Sequence, residues 1–252
     1  MRELERDSFS DSVCTRLAIV GRGRLGAALV SALVDAGYQI AGPLGRGADA
    51  SGSDAVLLCV PDDEIAHAAG VVAPGVLVGH CSGATGLDAL GARERFSLHP
   101  LMTVTAEGGR FAGAGAAIAG STPRALGMAH QLADALGMNA VVIADEDRAA
   151  YHAAASIASN FLVTLEAAAE RVAATAGAPA EVLVPLVRAT VENWAMLGPQ
   201  RALTGPVARG DEATVSAQRA AVSGRAADLL PLFDAMVDAT RALARSGDTE
   251  LV

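Results

Sequence analysis

The chain contains no lysine: all 19 of its basic residues are arginine. This absence excludes a Walker-type phosphate loop, a Schiff-base mechanism and a lysine general acid, since each depends on an ε-amine. Aromatic residues make up only 3% of the 252 residues, so a core packed through small side chains is expected. The net charge of −9 argues against the basic stripe that a duplex-binding surface needs, and nucleic acid is not an expected partner. Cysteine is scarce as well. Cys14, Cys59 and Cys81 are odd in number and match no zinc or redox spacing, which points to a reducing cytoplasm and no metal. Cys59 and Cys81 fall in apparent strands and are expected to be buried. No run of 18 apolar residues is free of polar interruption, so no membrane-spanning helix is expected. The first fourteen residues mix both charges without an apolar core, unlike a secretory signal, and read as a disordered tail.

Glycine, by contrast, is abundant at 27 residues, and three of these carry the strongest signal in the chain. Gly21, Gly23 and Gly26 follow the apolar run Leu17-Ala18-Ile19-Val20 and precede a helical stretch from Ala27 to Ala36. Strand, glycine turn and helix in that order form the dinucleotide-binding fingerprint. Gly21 is expected to make the tight turn, Gly23 to let a pyrophosphate approach the backbone, and Gly26 to let helix and strand pack closely. The anion then sits at a helix N-terminus, where unpaired N–H groups and the helix dipole favour negative charge. Arg22 and Arg24 lie inside the fingerprint and either add to this field or simply stand exposed to solvent.

The end of the second strand discriminates between cofactors. An acid about 20 residues beyond the fingerprint binds the ribose 2′-hydroxyl of NAD, whereas an arginine accommodates the 2′-phosphate of NADP. The strand reads Tyr38 to Gly42, and its turn, Pro43 to Gly47, carries Arg46 and no acid before Asp49. The guanidinium fork suits a phosphate, and NADP is the expected cofactor.

From Arg16 to about Asp145, short apolar runs alternate with helical ones, implying an α/β domain with a mostly parallel sheet. Ala55 to Val60 is continuously apolar, as in a strand buried on both faces. Pro61-Asp62-Asp63-Glu64 looks like a helix start. Further strands are expected at Val76 to His80, Arg95 to Leu98, Ala116 to Ala119 and Ala140 to Ile143, with a helix from Pro123 to Leu136. From Glu146 to about Ala176 a run without glycine or proline predicts one long helix. Shorter helices follow at Glu181 to Leu197, Asp211 to Ser223 and Arg225 to Arg245, and the tail from Ser246 is expected to fray. The expected organisation is a tail at 1–14, a Rossmann domain at 15–145 and an all-helical domain at 146–246.

At 100° per residue, Ile157, Phe161, Leu165, Ala168 and Val172 of the long helix form one apolar stripe, expected to face the core. Nearly opposite lie His152, Ser156 and Asn160, polar but uncharged. This second face reads either as the lining of a cleft or as an exposed alanine-rich surface with incidental polar residues.

Val20 to Gly26, Val60-Pro61-Asp62, His80-Cys81-Ser82-Gly83, Ser97-Leu98-His99-Pro100, Tyr151-His152 through Asn160, Leu203 to Pro206 and Arg209-Gly210-Asp211 together resemble Rossmann-like oxidoreductases with a DUF2520-type helical domain. These resemble, more distantly, ketopantoate reductase, pyrroline-carboxylate reductase and the 6-phosphogluconate and hydroxyisobutyrate dehydrogenases. The resemblance implies an NADP cofactor between the domains, a small-molecule substrate and a homodimer through the helical domain. Gly21, Gly23, Arg24, Leu25, Gly26, Arg46, Val60, Pro61 and Ser82 are the expected cofactor residues. Several relatives place a lysine and an asparagine four residues apart on the long helix. Here Asn160 matches the asparagine, but Ser156 stands at the lysine position and has no suitable pKa for a general acid. A histidine could then handle the proton, with His80, His99 and His152 as candidates, the first two as residues following strands at the sheet's carboxyl end; the other reading of His99-Pro100 is a histidine that only holds a turn. The expected activity is hydride transfer to or from a small carbonyl or imine compound, with 2-oxo acids of the ketopantoate kind among the candidates. Two alternatives stay open: a non-catalytic NADP-binding sensor or assembly protein, and a deazaflavin-linked reductase.

Overall fold

A computed structural model describes residues 16–105 and 108–248; the expected tail at 1–14, with Cys14, lies outside the described residues. The chain divides into two compact units, Met1–Ser156 and Ile157–Val252.

The first unit is built on a seven-stranded sheet: β1 (Arg16–Val20), β2 (Gln39–Leu44), β3 (Ala55–Leu58), β4 (Leu77–His80), β5 (Arg95–Leu101), β6 (Gly115–Gly120) and β7 (Asn139–Val142). Their spatial order is β2-β1-β3-β4-β5-β6-β7, and every neighbouring pair is parallel except β5 and β6. Parallel neighbours need crossovers, here α1 (Arg24–Asp35), α2 (Ile65–Val71) and α3 (Pro123–Ala135). The first unit therefore has the expected Rossmann fold. Chain order reverses between β1 and β3, and the carboxyl ends of those strands define the switch point where such sheets bind ligands.

Two-sided burial explains the apolar strand runs. Alternate residues of β1 enter opposite cores: Leu17 and Ile19 pack with α1 and α3, while Ala18 and Val20 join Val56, Leu58 and the α2 residues Ile65 and Ala68. Thr122 caps α3 by accepting from the Ala125 amide at 3.1 Å, and Pro123 occupies the first helical position, where a missing N–H costs nothing. In contrast α1 begins at Gly23 without a side-chain cap and with no acid in its first turn.

The expected helix from Glu146 to Ala176 is interrupted. A 3₁₀ turn at Asp145–Asp147 precedes α4 (Arg148–Ser156), a π-helical turn occupies Ile157–Phe161, and α5 (Leu162–Thr175) follows. A fixed 100° step cannot carry a stripe through a π turn, where hydrogen bonds reach one residue further. Accordingly Ile157 and Phe161 are 62% and 56% exposed instead of facing a core, while Leu165, Ala168 and Val172 are half-buried.

The second unit is all helical, as expected. With α5 it comprises α6 (Val184–Leu197), a short α7 (Pro199–Ala202), α8 (Glu212–Arg225) and α9 (Leu230–Asp248). The last helix continues through Ser246, where fraying was expected. Leu165 and Val172 of α5, Val222 of α8 and Phe233 and Met236 of α9 line an apolar cavity of about 500 Å³. Among the described residues no single helix is long and apolar enough to cross a membrane.

Close packing at the glycine turn makes a direct prediction. A Cβ on Gly26 would lie 2.0 Å from the Gly21 carbonyl oxygen, whereas one on Gly23 would meet nothing within 4 Å. Gly26→Ala is expected to cost about 3 kcal/mol or more in urea unfolding, and Gly23→Ala within about 1 kcal/mol.

Candidate functional site

The three fingerprint glycines meet three different physical demands. Gly21 has φ +123°, and a Cβ there would lie 2.1 Å from the Cys59 carbonyl oxygen, so turn and β3 exit touch backbone to backbone. Gly26 is buried and lets α1 approach Gly21. Gly23 is exposed, with open space above it.

Two cavities flank this turn. One, of about 410 Å³, is lined by Gly21, Arg22, Gly23, the β2 exit Leu44 to Arg46, and Cys59, Val60 and Pro61. The other, of about 350 Å³, is lined by Gly23, Arg24, Leu25, Cys59, Val60, Asp62, Cys81, Ser82 and Val104. They share Gly23, Cys59 and Val60, so one groove runs over the switch point past the uncapped start of α1. Except for the buried Gly26, every residue expected to touch a cofactor lines it.

Its charge pattern suits an anion. Arg46 is 59% exposed on the rim and pairs with Glu64 at 3.0 Å, a surface ion pair of the weakly held kind. Asp49, the next acid after β2, turns its carboxylate onto the Ser51 amide at 3.1 Å, which lowers its pKa. The Ser82 hydroxyl is already engaged: it donates to Asp62 at 2.8 Å and accepts from the amides of Ala84 and Thr85.

Beyond Ser82 lies a cluster of histidines around a buried arginine. Arg148, only 2% exposed at the start of α4, donates to Asp145 at 2.6 Å, to the hydroxyl of Ser97 on β5 and to the Ser82 carbonyl. Asp145 in turn accepts from the Leu87 amide at 3.0 Å. One ion pair thus fastens four chain segments of the first unit.

Burial, with this charge as a lesser contributor, depresses two of the histidines. His80 is the last residue of β4 and fully buried; its Nδ1 accepts from the Ser82 amide at 3.2 Å. Burial and then Arg148 push its pKa down to about 4. Contrary to expectation, it has no surface on which to meet a ligand. His99 lies within β5, not beyond it, half-buried, with Nδ1 2.9 Å from the Tyr151 hydroxyl. Burial, His152 and Arg148 lower it to about 4 also, whereas burial raises Tyr151. His152 is exposed and stands edge-on to His99 at 6.1 Å. A Cβ on Gly83 would lie within 3 Å of both rings.

The structure therefore brings His99, His152 and Tyr151 together, while His80 is buried at the end of β4. Ser156 is half-buried at the end of α4. Asn160 belongs to the second unit, in the π turn, where its carbonyl accepts from the Thr164 hydroxyl at 3.0 Å. Sequence reasoning did not assign roles to Arg148 or Tyr151. The Asp145–Arg148 spacing at a helix start was the available signal for the first; nothing local pairs Tyr151 with His99, 52 residues earlier. Cys59 and Cys81, expected within strands, stand one residue past β3 and β4, and Cys59 is only half-buried.

The family described as "Domain of unknown function (DUF2520)" matches residues 114–240, half of the chain. The chain belongs to the DUF2520 family. No curated protein matches it significantly. Among solved structures, this DUF2520 protein is similar to protein TM1727 of Thermotoga maritima, at 25% identity and TM-score 0.76, covering 91% of this chain and 98% of that one. BF3122 of Bacteroides fragilis, provisionally named an NADP oxidoreductase, superposes with TM-score 0.77 over the same shares at 18% identity. The reductive aminase of Aspergillus terreus, in complex with NADPH and ethyl levulinate, gives 0.67 at 15% identity, covering 95% and 100%. At these identities the last two share the fold.

Both depressed histidines couple charge to stability. Their folded pKa values of about 4 lie below the ordinary 6.5, so between those values the unfolded chain binds more protons. Stability is expected to be complete above pH 6.5 and to fall toward pH 4, His80 alone giving a slope of up to about 1.4 kcal/mol per pH unit. Urea midpoints across that window check this; a flat profile would contradict it. Arg148→Met is expected to cost about 3 kcal/mol and to raise the His99 pKa, followed by imidazole NMR shifts.

Proposed function

We propose that this protein is an NADP-dependent oxidoreductase acting on a small carbonyl or imine compound, 2-oxo acids included. The observation that carries this reading is the open space over Gly23 at the uncapped N-terminus of α1, in a groove with arginine rather than acid at the β2 exit. The unpaired amides of the first α1 turn bind a pyrophosphate, aided by Arg22 and Arg24. Arg46 exchanges Glu64 for the 2′-phosphate. Ser82, held by Asp62, shapes the other end of the groove. When bound, the dinucleotide supplies or accepts the hydride. The names of the solved relatives, an NADP oxidoreductase and an NADPH-bound reductive aminase, support the same assignment.

Proton handling falls to His99 and Tyr151. Near neutrality His99 is uncharged and Tyr151 keeps its phenolic proton. With the His99 Nδ1–H donating to the tyrosine oxygen, that phenolic proton is free to pass to a substrate oxygen or nitrogen, and the imidazole supports the oxygen it leaves. No lysine is required. We include a reducing cytoplasm and a homodimer through the helical unit in the proposal, the latter supported by exposed Leu186, Trp194 and Met196.

A titration monitored by NADPH fluorescence is expected to show NADP(H) binding at least about tenfold tighter than NAD(H), with Arg46→Ala removing the difference. Equal affinities in the unaltered protein would sink the cofactor assignment. Tyr151→Phe is expected to lower turnover on a panel of oxo acids and cyclic imines about a hundredfold while NADPH still binds. The lysine-free chain, with Ser156 at the position a relative's lysine would take, favours one second reading, a non-catalytic NADP sensor; tight NADPH binding without turnover on any panel member would select it.

A further inference from the structure

We propose that Cys59 and Cys81 form a redox site in the wall of the groove: a two-electron oxidant of the peroxide class joins them in a reversible disulfide, and the disulfide weakens NADP(H) binding. The second half of this proposal rests on the cofactor reading above. The first half stands on geometry alone.

The pair follows from strand register. β3 and β4 are parallel with Leu58 opposite His80, and the Cys81 amide donates to the Leu58 carbonyl at 3.1 Å, so the ladder runs one step beyond both strands. The next opposed residues are Cys59 and Cys81. Adjacent strands lie about 4.8 Å apart, inside the roughly 4.4–6.8 Å over which a disulfide spans two Cα atoms. Residues opposed in register point to the same face, and the two sulfurs are 3.7 Å apart. Closing to the bonded distance of about 2.05 Å asks for side-chain rotation rather than backbone travel.

Access is unequal. Cys59 is half-buried and lines both cavities, whereas Cys81 is buried and lines only the second. The neighbouring Cys59 sulfur and then burial also keep the Cys81 thiol protonated. Cys59 is therefore the residue that meets the oxidant. Its sulfur attacks one peroxide oxygen, the O–O bond breaks, one water leaves and a sulfenic acid remains. The Cys81 sulfur then displaces the sulfenic oxygen as a second water. Two thiols lose two electrons and two protons, and the peroxide becomes two waters. A dithiol reverses the change.

The consequence for binding comes from where Cys59 stands. It is the residue against which Gly21 packs and one of the three that line both cavities. Drawing its sulfur toward Cys81 reshapes the groove beside Gly23.

The test uses the full chain carrying Cys14→Ser, so that only this pair can join. After hydrogen peroxide treatment, intact mass is expected to fall by two hydrogens, and non-reducing peptide mapping to show a Cys59–Cys81 link that dithiothreitol removes. NADPH affinity, read by fluorescence, is expected to drop about tenfold on oxidation and to recover on reduction. In Cys59→Ser no link forms, and NADPH affinity, whatever its starting value, does not respond to peroxide. Over-oxidation of Cys59 without a link would overturn the proposal. A link that leaves NADPH affinity unchanged would overturn its functional half. Failure of the reduced protein to bind NADPH would overturn the cofactor reading instead, leaving the cross-link result to stand by itself.

Discussion

The Arg148–Asp145 ion pair is the constraint on which the functional end of the sheet depends. A guanidinium with 2% exposure is tolerable only where its hydrogen bonds are satisfied, and here they are met by Asp145, Ser97 and the Ser82 carbonyl. Those partners come from the β4 exit, from β5 and from the turn before α4, segments far apart in the chain. Their positions therefore cannot drift independently. The same positive charge disfavours a second one nearby, which is part of why His80 and His99 are neutral. In the first unit one buried cation thus does two things: it fixes geometry by hydrogen bonding, and it adds by repulsion to the burial that keeps the histidines neutral.

Neutral histidines change what the site can do chemically. A charged imidazole is a proton source, but an imidazole held at about 4 is mainly a hydrogen-bonding partner near pH 7. The exchangeable proton then resides on Tyr151, raised by burial and in contact with His99. Under the proposed function, this neutral pair is the proton donor that a chain without lysine would use.

Much of the fold was legible because its determinants are local. Strand, glycine turn and helix occupy adjacent positions from Leu17 onward, and the unbroken apolar run at Ala55 reports burial on both faces without reference to any other segment. The groove was legible for the same reason, since its lining follows the ends of β1, β2, β3 and β4. What escaped is nonlocal or breaks a period. Arg148 reads as an ordinary helical arginine until β5 supplies Ser97. His99 reads as a residue after a strand until pairing with β6, opposite Ala117, extends β5 to Leu101. The π turn at Ile157 defeats a stripe drawn at constant angle, because hydrophobic periodicity presumes an unbroken helix.

The glycine turn has a consequence for how such a chain changes over generations. Gly21 and Gly26 are held by contacts with the protein's own backbone, at the Cys59 and Gly21 carbonyls, and would be demanded by folding even in a descendant that bound nothing. Gly23 alone faces open space. Selection for stability is enough to preserve two thirds of the fingerprint, and only the middle glycine records whether a ligand is still being recognised.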